Sequence, residues 1–143
     1  MYNPKYGESV LTIENDFVLY NNSAKGKYLL SYLGNAENIT LPTPTDGRRL
    51  WVRAYAFAGC KSIKSVTVSE GTCYIDRFAF YEAEVETLTF DDESLWLCTK
   101  YTSDDGSSSS TDFRDKPLSE LEDENFVELL CSGKGSYAKD DIY

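Results

Sequence analysis

Histidine is absent from all 143 residues. With it go the Ser–His and Cys–His pairings that activate a nucleophile. Cysteine is scarce: Cys60, Cys73, Cys98 and Cys131 lie 13, 25 and 33 residues apart, with no C-x-x-C pair. A zinc site would need all four thiolates at an unusual spacing, so buried free thiols are the expected state. No phosphate-cradling glycine motif is present, and the many carboxylates show no fixed separation of the glycosidase kind. The expectation is a non-enzymatic chain that needs no cofactor and no metal. No apolar run approaches the roughly 20 residues of a membrane span. The opening Met-Tyr-Asn-Pro-Lys-Tyr-Gly-Glu-Ser lacks the basic and apolar regions of a signal peptide. A cytoplasmic location is therefore expected, or a secreted or surface one if a leader has been removed.

Basic residues are also few, and their shortage is local. The net charge is −10; residues 1–90 carry ten acidic and nine basic side chains, and residues 91–143 carry fourteen and five. The C-terminal third thus holds almost all of the acidity. Such a surface repels nucleic acid and anionic lipid, which need Lys or Arg to neutralise phosphate. It suits another protein with a basic surface. Within it, Glu120, Glu122, Asp123, Glu124 and Glu128 form a candidate electrostatic contact that steers encounter with such a partner; a solvated helix face is the plainer alternative. Asp91-Asp-Glu93 and Asp104-Asp105 lack the ligand spacing of a calcium loop and read as solvated charge.

What the chain has in place of catalytic motifs is repetition. Leu50-Trp-Val-Arg-Ala-Tyr-Ala-Phe57 is answered 23 residues later by Cys73-Tyr-Ile-Asp-Arg-Phe-Ala-Phe80. A fixed offset of about 20–30 residues marks stacked units that bury their apolar faces only against neighbours. A second series, Asn38-Ile-Thr-Leu, Ser65-Val-Thr-Val and Thr87-Leu-Thr-Phe, alternates polar and apolar residues as half-buried strands do. Each repeat therefore offers two strands, Ile39/Val66/Leu88 in one and Leu50–Val52/Cys73–Ile75 in the other. The turn between them points Phe57 and Ile63 inward. Thr40, Thr67 and Thr89 form a short outward ladder of ordinary strand composition.

Asp16–Tyr20 and Lys27–Tyr32, separated by a turn-rich Asn21–Gly26, predict a β-hairpin capping the N-terminal end of the stack. Ser94–Cys98 predicts one more strand, and the apolar-free 103–111 a flexible loop. Ser119-Glu-Leu-Glu122 matches a capping box and Gly133 a helix stop, which favours a helix over Glu120–Cys131; Phe126–Cys131 would serve equally as a strand. The expected whole is one mostly-β domain over 1–143. It comprises a cap and first strand (1–49), repeats (50–92) and an acidic C-terminal segment with one short helix (93–143). Strand alternation turns Trp51 and Tyr74 outward as a pair, either an interface anchor or a cross-strand support of the sheet.

Val52-Arg-Ala-Tyr-Ala-Phe57-Ala-Gly-Cys60-Lys-Ser-Ile63-Lys-Ser-Val66-Thr-Val68 closely resembles the repeat of the BspA-type leucine-rich repeats, with Arg53 and Asp76 where that repeat has glycine. The resemblance is good over 50–90, fair over 13–49 and poor beyond 93. It implies a curved, mostly-β solenoid, and a protein that binds other proteins, often at a bacterial surface. Three functions follow as expectations. The first is a protein–protein interaction module. The second is a small acidic intracellular inhibitor of the phage anti-defence type, filling the nucleic-acid channel of a basic enzyme. The third is a fragment of a larger adhesin. A stack with an open end also allows an end-to-end dimer.

Overall fold

The echo in the sequence becomes a ladder in space. The computed structural model describes residues 11–22, 26–44, 47–103 and 110–141. These residues form β1 (Leu11–Glu14), β2 (Phe17–Asn22), β3 (Gly26–Tyr32), β4 (Asn38–Thr40), β5 (Leu50–Val52) and β6 (Ser65–Thr67). They continue through β7 (Thr72–Ile75), β8 (Thr87–Thr89), β9 (Trp96–Tyr101), β10 (Thr111–Pro117), α1 (Phe126–Ser132) and β11 (Gly135–Lys139). Among the described residues, two open sheets result, ordered β1-β2-β3-β5-β7-β11-β9-β10 and β4-β6-β8.

The repeated segments pair in parallel. Trp51 lies opposite Tyr74 and Val52 opposite Ile75 across β5 and β7. Ile39, Val66 and Leu88 line up across β4, β6 and β8. Alternation decides which side chains go inside: Leu50, Val52 and Ile75 are fully buried while Trp51 and Tyr74 are half-buried. The intervening turns stack as well. Tyr55, Phe57 and Gly59 donate backbone N–H bonds to Phe78, Ala79 and Tyr81 at 3.0, 2.7 and 2.9 Å. Phe57 and Phe80 lie face to face inside this stack, ring centroids 4.5 Å apart, and Ile63 is buried beside them as the alternation predicts. Both sheets and the turns close over one apolar cluster.

Antiparallel strands flank the parallel rungs. β2 and β3 pair as the hairpin reading expects, with residues 23–25 of its turn outside the described residues. β1 extends the pair through Asn15-Asp16, both at positive φ, the left-handed pair that a two-residue hairpin turn requires. On the other side β11 enters between β7 and β9, antiparallel to both.

Several sequence expectations need correction here. The helix begins at Phe126, not Glu120; Asn125 caps it by accepting the Glu128 N–H at 3.1 Å, and Gly133 ends it at φ 75° as expected. Ser119 caps nothing because buried Leu118 draws residues 118–120 into a separate 3-10 turn. The strand placed at Ser94–Cys98 starts at Trp96 and runs to Tyr101, since Asp92 caps a 3-10 turn over Glu93–Leu95. Of the predicted loop 103–111, residues 104–109 lie outside the described residues, and Thr111 already belongs to β10. Cys73 and Cys98 are buried, but Cys60 and Cys131 only partly so.

Candidate functional site

The outward face of the large sheet carries an aromatic row. Trp51 and Tyr74 meet with ring centroids 5.7 Å apart. The row continues through Tyr28, 6.5 Å from Trp51, to Tyr20, 6.2 Å from Tyr28. Register partners share a face, so Leu11 beside Tyr20 extends the row at one end. Ala138, Leu97 and Pro117 extend it past Tyr74 at the other. Each strand of this sheet thus contributes one residue to a stripe crossing its whole width. Arg53, next along from Val52, lays its guanidinium 4.7 Å from the Tyr28 ring centre.

Beyond Tyr74 the face turns polar. A cavity of about 130 Å³ is lined by Tyr74, Thr99, Tyr101, Arg114, Asp115 and Ser136. Tyr101 Oη and Ser136 Oγ share a hydrogen bond at 3.1 Å. The Asp115 N–H donates to Thr99 Oγ1 at 3.0 Å. Asp115 sits at φ 45° inside an irregular stretch where β10 slips register against β9. A non-glycine residue held there is strained, and bulges beside sites re-aim a side chain. Arg77 underpins the cavity: its guanidinium lies 3.9 Å from the Tyr101 ring centre and donates to the Gly133 and Ser103 carbonyls at 2.9 and 2.6 Å.

The acidic residues divide between two places. Glu120, Glu122, Asp123 and Glu124 line one cleft of about 680 Å³ together with Asp112, over Phe113 and Leu121. Glu128 stands apart, on α1, in a neighbouring hollow with Lys100 and Lys134. Glu124 is already engaged, 3.2 Å from Lys100 Nζ, and this hydrogen bond holds the Lys100 pKa above its usual value. Asp91 is structural: it accepts from Trp96 Nε1 and from Lys139 Nζ, both at 2.9 Å, and Lys139, 6% exposed, also donates to the Glu70 carbonyl. Asp104 and Asp105 lie outside the described residues.

No group of three or more His, Cys, Asp or Glu side chains that could hold a metal occurs among the described residues. Burial pushes the Cys73 thiol up to about 11 and the Cys98 thiol to about 12, so neither is a nucleophile near neutrality. Nor is any helix of the described residues long and apolar enough to cross a membrane.

Sequence reasoning brings Trp51 and Tyr74 together correctly but misses Tyr20, Tyr28 and the whole polar cavity. The signal for Tyr28 was available, since Lys27-Tyr-Leu aligns with Leu50-Trp-Val as another parallel rung. Arg77 also had one, because it stands where the echo has Ala54.

Compared with known proteins, the chain matches the model of the BspA-type leucine-rich repeat region over residues 23–129, in six copies, well past the limit at residue 93. No curated protein and no solved structure matches it.

Proposed function

Because the chain belongs to the BspA-type leucine-rich repeat family, we propose that it is a non-enzymatic protein-binding module whose repeats hold a recognition surface in fixed register. In this reading residues 1–143 form one domain and the parallel rungs a short solenoid. The β2–β3 hairpin covers the solenoid's N-terminal end. The single observation that carries the proposal is the aromatic row centred on Trp51 and Tyr74. Tyr and Trp dominate interface hot spots because they bury much area for little lost side-chain freedom. A sheet pinned on both sides of β5 and β7 presents them already ordered, which lowers the cost of binding.

A second surface, the acidic cleft of Glu120, Glu122, Asp123 and Glu124, supports the inhibitor reading, in which it faces a basic enzyme. Point variants separate the two. The intact chain, Trp51→Ala/Tyr74→Ala and Glu120→Gln/Glu122→Gln/Asp123→Asn are immobilised and used to capture protein from the natural source. Capture lost only in the aromatic variant is the expected outcome. Capture lost only in the charge variant moves the interface to the cleft, and capture unchanged in both removes these residues from the interface.

A further inference from the structure

The cavity at the end of the aromatic row is more polar than the row itself. Its lining holds four hydroxyl groups, from Tyr74, Thr99, Tyr101 and Ser136, and one side chain of each charge, Arg114 and Asp115. A pair of opposite charges favours neither an anionic nor a cationic ligand. A neutral ligand rich in hydroxyls gains much, because hydroxyls both donate and accept, while Arg only donates and Asp only accepts. Tyr74 belongs to the cavity and also to the row, 5.7 Å from Trp51, so cavity and aromatic surface are continuous. An aromatic face is negative at its centre and attracts the weakly positive C–H face of a saturated ring. A sugar ring has that combination: a C–H face for the aromatic side chain and hydroxyls around its edge for the polar rim.

A second, independent observation marks the same place. Asp115 is held at φ 45° in the slipped register of β10, against the preference of an L-residue, next to this cavity. Its backbone N–H donates to Thr99 Oγ1 at 3.0 Å and its Oδ1 accepts from the same hydroxyl at 3.4 Å, which fixes one carboxylate oxygen and leaves the other for a ligand. The cavity itself is tied down from below by Arg77 through Tyr101.

We infer that this cavity and the adjoining Tyr74–Trp51 surface bind a neutral saccharide. The cavity takes the edge of one sugar ring and the aromatic row takes the next. The inference goes beyond the protein-binding reading and does not need it. The sugar can be free polysaccharide or a glycan carried on a protein, and the chemistry is shared.

Fluorescence provides a site-specific readout. Of the two tryptophans, Trp96 is fully buried and bonded to Asp91, so a saccharide that perturbs emission does so at Trp51. The probes are the neutral tetrasaccharides of glucose, mannose, galactose and N-acetylglucosamine. A glycoprotein bearing neutral N-glycans is compared with its deglycosylated form. At least one probe is expected to change Trp51 emission saturably. Asp115→Gly should weaken that binding at least tenfold while the chain still folds, since glycine tolerates positive φ and the loss is the carboxylate with its 3.4 Å contact to Thr99 Oγ1. Trp51→Phe should abolish the signal while calorimetry still detects binding. Response to a free tetrasaccharide identifies polysaccharide as a sufficient source, and response lost on deglycosylation identifies the protein-borne glycan. No response to any probe up to about 10 mM, where a site of Kd ~1 mM is nearly filled, overturns the inference. So does saccharide binding that Asp115→Gly leaves intact. Protein capture can fail or succeed without changing any of these results.

Discussion

Phe57 shows how one residue can be read from pattern and then weighed by geometry. Its place in Ala-Phe, repeated at Phe80, predicts an inward aromatic, and the two rings lie 5° from parallel with neither exposed. Tyr32 and Phe17 complete the contacts, at 5.6 and 6.2 Å between centroids. Phe57→Ala is expected to cost about 3–5 kcal/mol, read as a fall in the denaturant midpoint with unchanged slope. Lys139 was not legible in the same way, and Arg77 only as a departure from Ala54 in the echo. Both are charged and nearly buried, 7% and 6% exposed. Hydropathy sends such residues outward. What holds them in is a set of carbonyls, an aromatic ring and a carboxylate supplied by segments distant in sequence. A single sequence shows the residue but not the partners that make its burial affordable.

Among the elements, those that repeat were the most legible, the hairpin, β9 and α1 were read in whole or in part, and β1, β10 and β11 were missed. β4, β6 and β8 share polar–apolar alternation, and β5 and β7 the echoed aromatic segment, at near-constant intervals, so each one strengthens the reading of the others. β10 and β11 have no counterpart. Thr111–Pro117 contains four charged residues in seven and is half-exposed to exposed throughout, so nothing in its hydropathy distinguishes an edge strand from a loop. α1 was found at its C-terminal end and misjudged at its start. Gly133 is the reason for the first success, and the position is tight: a Cβ there would meet Phe78 Cδ1 at 2.7 Å and Tyr81 Cδ1 at 2.9 Å. Gly133→Ala combines that clash with a positive φ, and should destabilise the protein by about 1–3 kcal/mol. Thermal unfolding checks this; Asn125→Ala, which removes only the opposite cap, should cost about 1 kcal/mol. Of the candidate site, the elements supply a simple division: the aromatic half sits on repeated strands and was partly foreseen, whereas the polar half sits on β9, β10 and β11.

For the whole molecule, the perturbed groups act together on stability. Burial raises the thiols of Cys73 to about 11 and Cys98 to about 12, and lifts the phenol of Tyr137 well above its normal value. Lys100 is raised as well, by its bond to Glu124. In each case the folded chain holds its proton more tightly than the unfolded chain does. The unfolded state therefore loses protons first as pH rises, and stability declines. Below about pH 8.5, where unfolded thiols are protonated, this contribution is fully present. The melting temperature should be steady from pH 6 to 8 and fall progressively above pH 9, as the unfolded thiols, phenol and lysine give up their protons in turn. A melting temperature unchanged to pH 11 would mean that these groups are not enclosed as described.

The place of β11 between β7 and β9 has a consequence for biosynthesis. A ribosome delivers residues 72–75 and 96–101 well before residues 135–139, yet β7 and β9 are joined in the sheet only through that later strand. While the chain is being made, both must wait with a gap one strand wide between them. Until Gly135–Lys139 arrives, the edges of β7 and β9 are bare templates on which a wrong strand, or another nascent chain, can pair. The parallel rungs can assemble in the order of translation, but the sheet they belong to cannot close until its keystone has left the exit tunnel. A stop codon or a stalled ribosome between Tyr101 and Gly135 would release a chain with its repeats formed and its largest sheet split open, a substrate for quality control.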